Sequence, residues 1–581
     1  MKKKYSWIDD LPIQISEEGK EWAKSHMRSM SLSQKIGQLI HVATWSNKSQ
    51  IHIDDITHLI HEHGIGGLIF FQGDPERQAQ QTNYYQNISK TPLMVSVDAE
   101  WGLGMRLDGV ESFPYQLTLG AIPNNEGIYK MGSAVGKQLK RLGVHVNFAP
   151  VIDINTNPAN PVINFRSYGE NKHKVASRGI SYMEGIQEEG VLACAKHFPG
   201  HGDTDADSHK ELPLLNKSYQ ELVDTELYPF EKLIDKGIGA IMTAHLHIPQ
   251  LDSIEPRAST LSHKIIDGLL KKELKFKGLV FTDALDMKAV SDHYEPGYVD
   301  VEALKAGNDV LVFVNNVSVA VKEIERAISN GEISLEEIEL KCLKQLCYKY
   351  WMGLKDFSPL KIPNIVEDIN QHTNNLNKKL YEKSITLIKD DRQFALQKNA
   401  KSLAILSLYA DGDKSEGKQL AHHTLLKKSD NHTELSFESK LVEYCDSISK
   451  PLKLSYKDTV ELQSNVLSKL EIYDTIIVAV HDIKLKAIEN FGITEDLSQV
   501  LTKLFNTKKC QVVFFGNPYA LSNIKDLDKA ETILLTYQEN KYTFDAAFKV
   551  ITGQIDAEGV LPVSINSYFK AGNNYRSYEK K

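Results

Sequence analysis

Short apolar runs alternate with longer stretches of helical apolar spacing along residues 18–351 of the 581-residue chain. The runs predict strands buried on both faces, because the strands of a sheet with one solvent-exposed face would alternate apolar and polar residues. Eight strands are predicted, at residues 36–44, 66–71, 92–97, 145–151, 191–195, 238–244, 278–282 and 310–314. The predicted helices include residues 18–35, 75–89, 126–142, 172–189, 317–329 and 335–351.

This alternation predicts an α/β fold, a parallel (β/α)8 barrel of the TIM type. A doubly wound open sheet has the same alternation and is the alternative architecture. In a barrel, residues that follow the strands meet at the carboxyl face, where catalysis in this fold takes place. The polar residues in that position are Asp98, Lys196, His197, His245 and Asp283.

A second α/β unit, a sandwich domain, is predicted beyond residue 380, where the alternation of strands and helices resumes. Residues 355–380 are rich in Pro, Asn and Lys and predict a linker. The expected domains are therefore a catalytic barrel (1–354), a linker (355–380) and the sandwich (381–581). The nearest candidate for a phosphate-binding loop, Asp411-Gly412-Asp413, has one glycine between two acids and indicates a turn.

Composition and charge narrow the classes of partner. Hydrophobic residues make up 41% and charged residues 25%, as in ordinary globular proteins. The net charge of -8 favours neither a nucleic acid nor an anionic membrane as partner. The five cysteines are scattered and odd in number, which indicates free thiols in a reducing compartment. With no apolar segment behind the basic N-terminus, the expected location is cytoplasmic.

The densest chemistry follows the fifth predicted strand, in the loop from Lys196 to His209. A calcium loop would need Gly and Glu where Ser208 and Leu214 stand. A zinc pair at His197 and His201 is disfavoured because Pro199-Gly200 breaks the helix on which such pairs lie. An active-site loop without a metal is therefore the favoured interpretation.

Four blocks of the barrel together resemble the β-N-acetylglucosaminidases of glycoside hydrolase family 3. They are residues 149–155 (APVIDIN), 166–169 (RSYG), 196–209 (KHFPGHGDTDADSH) and 282–285 (TDAL). Residues 559–564 (GVLPVS) are similar to a stretch near the C-terminus of two-domain members. The resemblance implies a retaining exo-enzyme that hydrolyses terminal β-linked N-acetylglucosamine, with peptidoglycan (muropeptide) fragments as the expected source. It implies no metal and no cofactor.

The resemblance also implies roles for individual residues. Asp283 would be the nucleophile, and His209, oriented by Asp207, the acid/base. The plainer alternatives are a helix N-cap for Asp283 and a surface pair for Asp207 and His209. The implied sugar-binding residues are Asp98, Arg106, Arg166, Lys196 and His197. One departure is Trp101, which stands where the family commonly has Gly and is expected to add bulk near the leaving group.

Two other functions stay open at this level. A phosphorolytic enzyme of the same family is one, since a neutral histidine acid/base would not repel an incoming phosphate dianion. A non-catalytic sugar-binding protein that kept the barrel is the other, although Asp283, Asp207 and His209 are all present. β-Glucosidases and β-xylosidases of the family usually lack the pattern of residues 196–209.

Overall fold

The computed structural model describes all of the chain except residues 1–4, 209–210, 254–255, 293, 391–395, 401, 411–435, 446–447, 449, 457, 459 and 576–581. The predicted acid/base His209 and the predicted turn at residues 411–413 thus lie outside the described residues. The chain forms two compact units. The first comprises Met1–Phe113, Ile128–Asn157 and Val175–Thr373, and the second comprises Pro114–Gly127, Pro158–Lys174 and Asn374–Lys581.

The first unit contains the predicted barrel. Its strands are β1 (Ile40–Thr44), β2 (Gly67–Phe70), β3 (Met94–Val97), β4 (Val146–Asn147), β5 (Leu192–Phe198), β6 (Ala240–Thr243), β7 (Leu279–Thr282) and β8 (Leu311–Val312). All eight are parallel, in the order β7-β6-β5-β4-β3-β2-β1-β8. The ring closes where Phe281 bridges Val310 and the Thr282 N–H donates to the Val310 carbonyl at 3.0 Å. The open-sheet alternative is therefore wrong.

Helices follow the strands around this ring, as the alternation predicts. The α-helices in this part of the chain are Glu17–Ser29, Leu32–Gly37, Gln50–His63, Pro75–Ile88, Glu126–Arg141, Lys172–Glu188, Tyr219–Asp224, Leu227–Asp235, Lys288–Ser291, Tyr298–Ala306, Val317–Ser329, Leu335–Trp351 and Ile365–Asn370, with a π-helix at Lys264–Glu273. The predictions for 317–329 and 335–351 are confirmed at both ends. Within the described residues, no helix has the length and apolarity to cross a bilayer.

Two predicted elements have different bounds in the structure. The helix predicted over residues 18–35 is two helices, because Ser31 and Gln34 form a capping box that starts a new helix at Leu32. The fifth predicted strand ends at Ala195, whereas β5 continues to Phe198. Lys196 and His197 therefore lie on the strand itself.

The second unit contains an open sheet of six strands. These are β9 (Thr386–Asp390), β10 (Leu403–Tyr409), β11 (Leu452–Ser455), β12 (Thr475–Val480), β13 (Lys509–Phe514) and β14 (Thr532–Leu535). The order is β11-β10-β12-β13-β14-β9, and β9 is antiparallel to β14. The accompanying α-helices are Gln116–Ala121, Thr373–Ser384, Phe437–Tyr444, Val460–Leu470, Glu495–Thr507 and Lys541–Ile551. This is the predicted second α/β domain.

The units divide the chain differently from the predicted domains. Two segments that follow β3 and β4 in sequence, residues 114–127 and 158–174, belong to the second unit. There the Tyr115 N–H and the Thr118 hydroxyl both donate to Gln538 Oε1 at 2.8 Å, and the Ser564 N–H donates to Glu170 Oε2 at 2.7 Å. These partners are hundreds of residues apart, so local periodicity does not reveal them. The predicted linker also contains the helix Ile365–Asn370.

A lysine is fully buried at the end of the helix Leu335–Trp351. The Lys349 ammonium donates to Gln38 Oε1 at 2.6 Å, and the side chain has no exposed surface. Gln38 in turn donates to the Gly64 carbonyl at 2.7 Å. Burial lowers the pKa of Lys349 to about 7, because a low-dielectric interior disfavours the charged form.

This lysine predicts a stability that rises with pH. Because the folded pKa lies below the ordinary value of 10.5, the unfolded chain binds a proton between pH 7 and 10 that the folded chain does not. The free energy of unfolding should therefore rise by about 3 kcal/mol between pH 7 and 9.5. We expect Lys349→Met to remove this part of the pH dependence, whatever its effect at a single pH. Calorimetric melting from pH 7 to 9.5 measures it, with the exposed Lys322→Met as control. Equal slopes in all three proteins would contradict the prediction.

Candidate active site

An ion-pair network joins three of the predicted sugar-binding residues. Asp98 directly follows β3, and its Oδ1 accepts from Lys196 Nζ at 2.8 Å while its Oδ2 accepts from Arg106 at 2.7 Å. Burial alone would raise the pKa of Asp98, but the two cations outweigh it and hold the pKa well below its usual range. Asp98 is therefore ionised at any physiological pH, and its carboxylate fixes both cations.

Glu100 belongs to the same network, although no role was predicted for it. Its carboxylate has no exposed surface and lies 2.9 Å from Lys196 Nζ. Lys196 is thus held between two carboxylates, which compensate its buried charge. The available signal was an acid two residues after Asp98, next to Trp101.

Three aromatic side chains lie beside this network, at the carboxyl ends of neighbouring strands. Trp45 follows β1, Phe71 follows β2 and Phe313 follows β8, with ring centroids 5.0 to 6.3 Å apart. The Arg106 guanidinium stacks on Phe71, 4.6 Å from the ring centroid. Trp101 is only 3% exposed, so its ring packs among interior side chains, and the bulk that it is expected to add near the site stays a prediction.

A second carboxylate orients the histidines that follow Lys196. Asp153 Oδ2 accepts from His197 Nδ1 at 2.7 Å, and Asp153 Oδ1 accepts from the backbone N–H groups of His197 and His201, at 3.3 and 2.7 Å. Burial opposes ionisation of Asp153, yet the two histidines hold its pKa below the ordinary value. Asp153 therefore fixes the ring of His197 with Nδ1 as the donor. The sequence placed Asp153 after a strand but gave it no role.

The loop after β5 is organised by the ring of His201. His201 Nδ1 lies 2.7 Å from Thr204 Oγ1, and Nε2 lies 3.3 Å from Ser208 Oγ. Burial, followed by the charge of His197, lowers the pKa of His201 to about 4, against the opposing effect of Asp153 and Asp283. The ring is therefore neutral near pH 7.

Asp283 follows β7 directly, as predicted. Its backbone N–H donates to the Thr243 carbonyl at 2.9 Å, and its Oδ1 accepts from the Ala284 N–H at 2.8 Å. His245, which follows β6, reaches the same turn: its Nε2 donates to the Ala284 carbonyl at 2.9 Å. Asp283 starts no helix, because the next one begins at Lys288 with Met287 as its N-cap. The N-cap alternative for Asp283 is therefore wrong.

The two remaining predicted residues that the structure describes belong to different units. Asp207 is half-buried in the loop of the first unit, between the anchored Thr204 and Ser208. Arg166 ends a 3₁₀ turn (Asn164–Arg166) in the second unit, where its guanidinium donates to the Val162 carbonyl at 3.4 Å. Contacts therefore join Asp98, Arg106 and Lys196 directly, and His197 and His201 through Asp153.

Asp153→Asn should lower kcat/KM about 100-fold, by changing the tautomer of His197. The two backbone N–H groups need the remaining oxygen, so the new amide nitrogen would face His197 Nδ1. Two donors cannot share a hydrogen bond, and the ring proton would have to move to Nε2. Steady-state kinetics on an aryl glycoside measures the loss.

Asp252→Asn is the matched control for this substitution. Asp252 is also buried in the first unit, where its Oδ2 accepts from the Ser262 hydroxyl at 2.7 Å. Its described partners, Ser262 and Lys264, are not among the residues that Asp153 holds, so kcat/KM should change by less than about threefold. A similar loss of kcat/KM in both variants would mean that Asp153→Asn acts only by destabilising the fold.

Comparisons with known proteins agree with the geometry. Residues 31–344 match the family described as "Glycosyl hydrolase family 3 N terminal domain". Beta-hexosaminidase A of Pseudoalteromonas piscicida is 29% identical over 560 residues, which cover 88% of this chain and 91% of that protein. The beta-hexosaminidase of Nitrosomonas eutropha is 32% identical over 262 residues, 43% of this chain and 74% of that protein.

Solved structures share the architecture along nearly the whole chain. A glycoside hydrolase family 3 beta-N-acetylglucosaminidase from Paenibacillus sp. superposes with a TM-score of 0.73 at 29% identity, covering 92% of this chain and 99% of the other. A structure described as the beta-glucoside phosphorylase BglX has a TM-score of 0.80 at 22% identity, covering 96% and 98%. At that identity the second likeness concerns the fold alone.

Proposed function

The chain belongs to glycoside hydrolase family 3, and on that premise we propose that it is a retaining exo-β-N-acetylglucosaminidase. It would release terminal β-linked N-acetylglucosamine from a carbohydrate chain. The observation that carries the proposal is the charge network of Asp98, Lys196 and Arg106 on the barrel face where Asp283 also lies. The beta-hexosaminidase relatives support the choice of sugar. Membership of a hydrolase family argues against the alternative of a non-catalytic sugar-binding protein.

The network supplies what recognition of a sugar requires. Sugar hydroxyls need fixed donors and acceptors, and Asp98 can accept hydroxyl protons while Lys196 and Arg106 donate. Because these groups are already paired with one another, binding costs little reorganisation. His197, held by Asp153, adds a ring nitrogen of fixed orientation. Arg166 joins this set on its motif match alone.

The proposed reaction has two displacement steps. An Asp283 carboxylate oxygen bonds to the anomeric carbon while the bond from that carbon to the leaving oxygen breaks, and the leaving oxygen takes a proton from His209. Water then attacks the same carbon, gives a proton to His209 and frees Asp283. Each step inverts the anomeric centre, so the product keeps the β configuration.

In this proposal, Asp207 orients the ring of His209 and stabilises its protonated form. The acid/base needs a pKa near neutrality, which imidazole has without perturbation. A carboxylate hydrogen-bonded to the imidazole selects its tautomer and stabilises the imidazolium. The spacing of two residues lets both side chains point to one side of an extended loop.

The natural substrate we propose is a peptidoglycan (muropeptide) fragment that ends in N-acetylglucosamine. The direct test is colour release from aryl β-N-acetylglucosaminide and aryl β-glucoside, with NMR of the first sugar product. We expect activity on the N-acetylglucosaminide and β-N-acetylglucosamine as the first product. An α product, or activity confined to the β-glucoside, would contradict the proposal.

The same assay separates hydrolysis from phosphorolysis. Under hydrolysis, added inorganic phosphate leaves the rate unchanged and the product is the free sugar. Under phosphorolysis, phosphate raises the rate and the product is the sugar 1-phosphate. A neutral acid/base histidine permits either, so the product decides between the two.

A further inference from the structure

We infer that His201 is a positioning residue that fixes the end of the loop carrying Asp207. This inference rests on the proposed function of that loop. Residues 199–208 leave β5 at Phe198 and include no regular element. The ring of His201 is 1% exposed and lies between Thr204 in the middle of the loop and Ser208 at its far end.

The hydrogen bonds determine which ring nitrogen carries the proton. The Thr204 hydroxyl donates to the His201 carbonyl at 3.1 Å, so its oxygen faces Nδ1 as an acceptor. Nδ1 must then be the donor, at 2.7 Å. In the neutral ring, Nε2 is left as an acceptor and receives the Ser208 hydroxyl proton at 3.3 Å. One tautomer therefore satisfies both ends of the ring.

This arrangement connects the loop to the sugar-binding side. Asp153 Oδ1 holds the His201 backbone N–H, and Asp153 Oδ2 holds the His197 ring. A continuous chain of hydrogen bonds thus runs from His197 through Asp153 and His201 to Ser208. Ser208 directly follows Asp207 in sequence. A shift of Ser208 would move Asp207 relative to the residues proposed to bind the sugar.

Other contacts hold the loop along its outer part. Asn157 Nδ2 donates to Asp205 Oδ1 at 2.5 Å, and Lys217 Nζ donates to Asp203 Oδ2 at 2.7 Å. These side-chain contacts end at residue 205, whereas that of His201 reaches residue 208. The backbone carbonyl of Asp207 also accepts from the Glu211 N–H at 3.1 Å. The Asn157 pair therefore offers a control that loosens the same loop without releasing Ser208.

The plainer explanation is that His201 is a histidine buried for stability. A purely structural residue lowers the amount of folded enzyme and reduces the rates on all substrates together. A residue that positions the acid/base pair reduces mainly the rates that need protonation of the leaving group. The ratio of rates on a disaccharide and on a dinitrophenyl glycoside therefore separates the two.

The experiment compares five variants on N-acetylglucosaminyl disaccharide and on dinitrophenyl β-N-acetylglucosaminide. Ser208→Ala and His201→Asn each remove the contact to Nε2, and we expect a loss of about tenfold on the disaccharide against less than about twofold on the aryl glycoside. His201→Gln places an amide oxygen near the lost Nε2 and should restore the ratio. Asn157→Ala should leave the ratio unchanged. The double variant His201→Asn/Ser208→Ala should lose no more than either single change.

The outcomes distinguish this inference from the proposed function. If His209→Ala changes the ratio of rates but Ser208→Ala and His201→Asn do not, His201 has no positioning role. An equal change in Asn157→Ala would also overturn the inference, because any loosening of the loop would then suffice. If His209→Ala itself leaves the ratio unchanged, the proposed acid/base fails and the inference fails with it. Ser208→Ala deletes one hydroxyl, so it tests the idea even if His201→Asn does not fold.

Discussion

Asp283→Ala is expected to lower kcat on aryl β-N-acetylglucosaminide about 100,000-fold while the melting temperature stays near that of the unaltered protein. The loss is large because no other group would form the bond to the anomeric carbon. The fold should persist because the hydrogen bond that the Asp283 side chain accepts from the Ala284 N–H at 2.8 Å is worth about 1 kcal/mol. Asp286→Ala is the matched control, since Asp286 is an exposed acid in the same turn.

Azide makes this prediction more specific. The anion can enter the space left by the carboxylate and attack the anomeric carbon from the same side. Activity of Asp283→Ala should therefore return with azide, and the product should be the α-glycosyl azide, because only one inversion then occurs. Mass spectrometry and NMR identify it. A β-azide product, or near-normal turnover without azide, would show that a residue other than Asp283 is the nucleophile.

His209→Ala should lose about 1,000-fold on an N-acetylglucosaminyl disaccharide and less than about tenfold on dinitrophenyl β-N-acetylglucosaminide. A sugar alkoxide leaves poorly without a proton, whereas dinitrophenolate leaves unaided. With the activated substrate, the glycosyl-enzyme on Asp283 should accumulate, because no base remains to activate water. A burst of dinitrophenolate and a mass increase of the protein would detect it.

Asp207→Asn should show the same pattern in milder form. The imidazole of His209 remains but loses the charge that orients it and stabilises the imidazolium. The disaccharide rate should fall more than the aryl rate, with a smaller gap than in His209→Ala. Equal losses on good and poor leaving groups in both variants would show that His209 only binds sugar. A carboxylate from elsewhere would then have to be the acid.

The barrel could be predicted because its signal is local. Each apolar run followed by helical spacing predicts one strand and one helix. Eight such pairs predict closure of the strands into a barrel. The polar residues that end the strands, such as Asp98 and Asp283, could be found for the same reason. Their placement on one face needed no further information, because parallel strands bring their carboxyl ends to the same side of the barrel.

The parts that escaped prediction depend on partners distant in sequence. The role of Glu100 depends on its ion pair with Lys196, and the role of Asp153 depends on its hydrogen bonds with His197 and His201. The transfer of residues 114–127 and 158–174 to the second unit rests on bonds to partners such as Gln538. No period or spacing encodes such pairings.

The two sheets differ in their liability to aggregate. The barrel closes on itself, so it has no free strand edge, whereas within the described residues β11 and β9 each pair with one neighbour only. Free edges can recruit strands from other molecules, and a charged side chain on the edge opposes this because a docking strand would bury it. β11 carries Lys453, which is exposed, and β9 carries Lys389. A lysine thus lies on each edge strand of the open sheet, where its charge opposes the addition of a strand from another molecule.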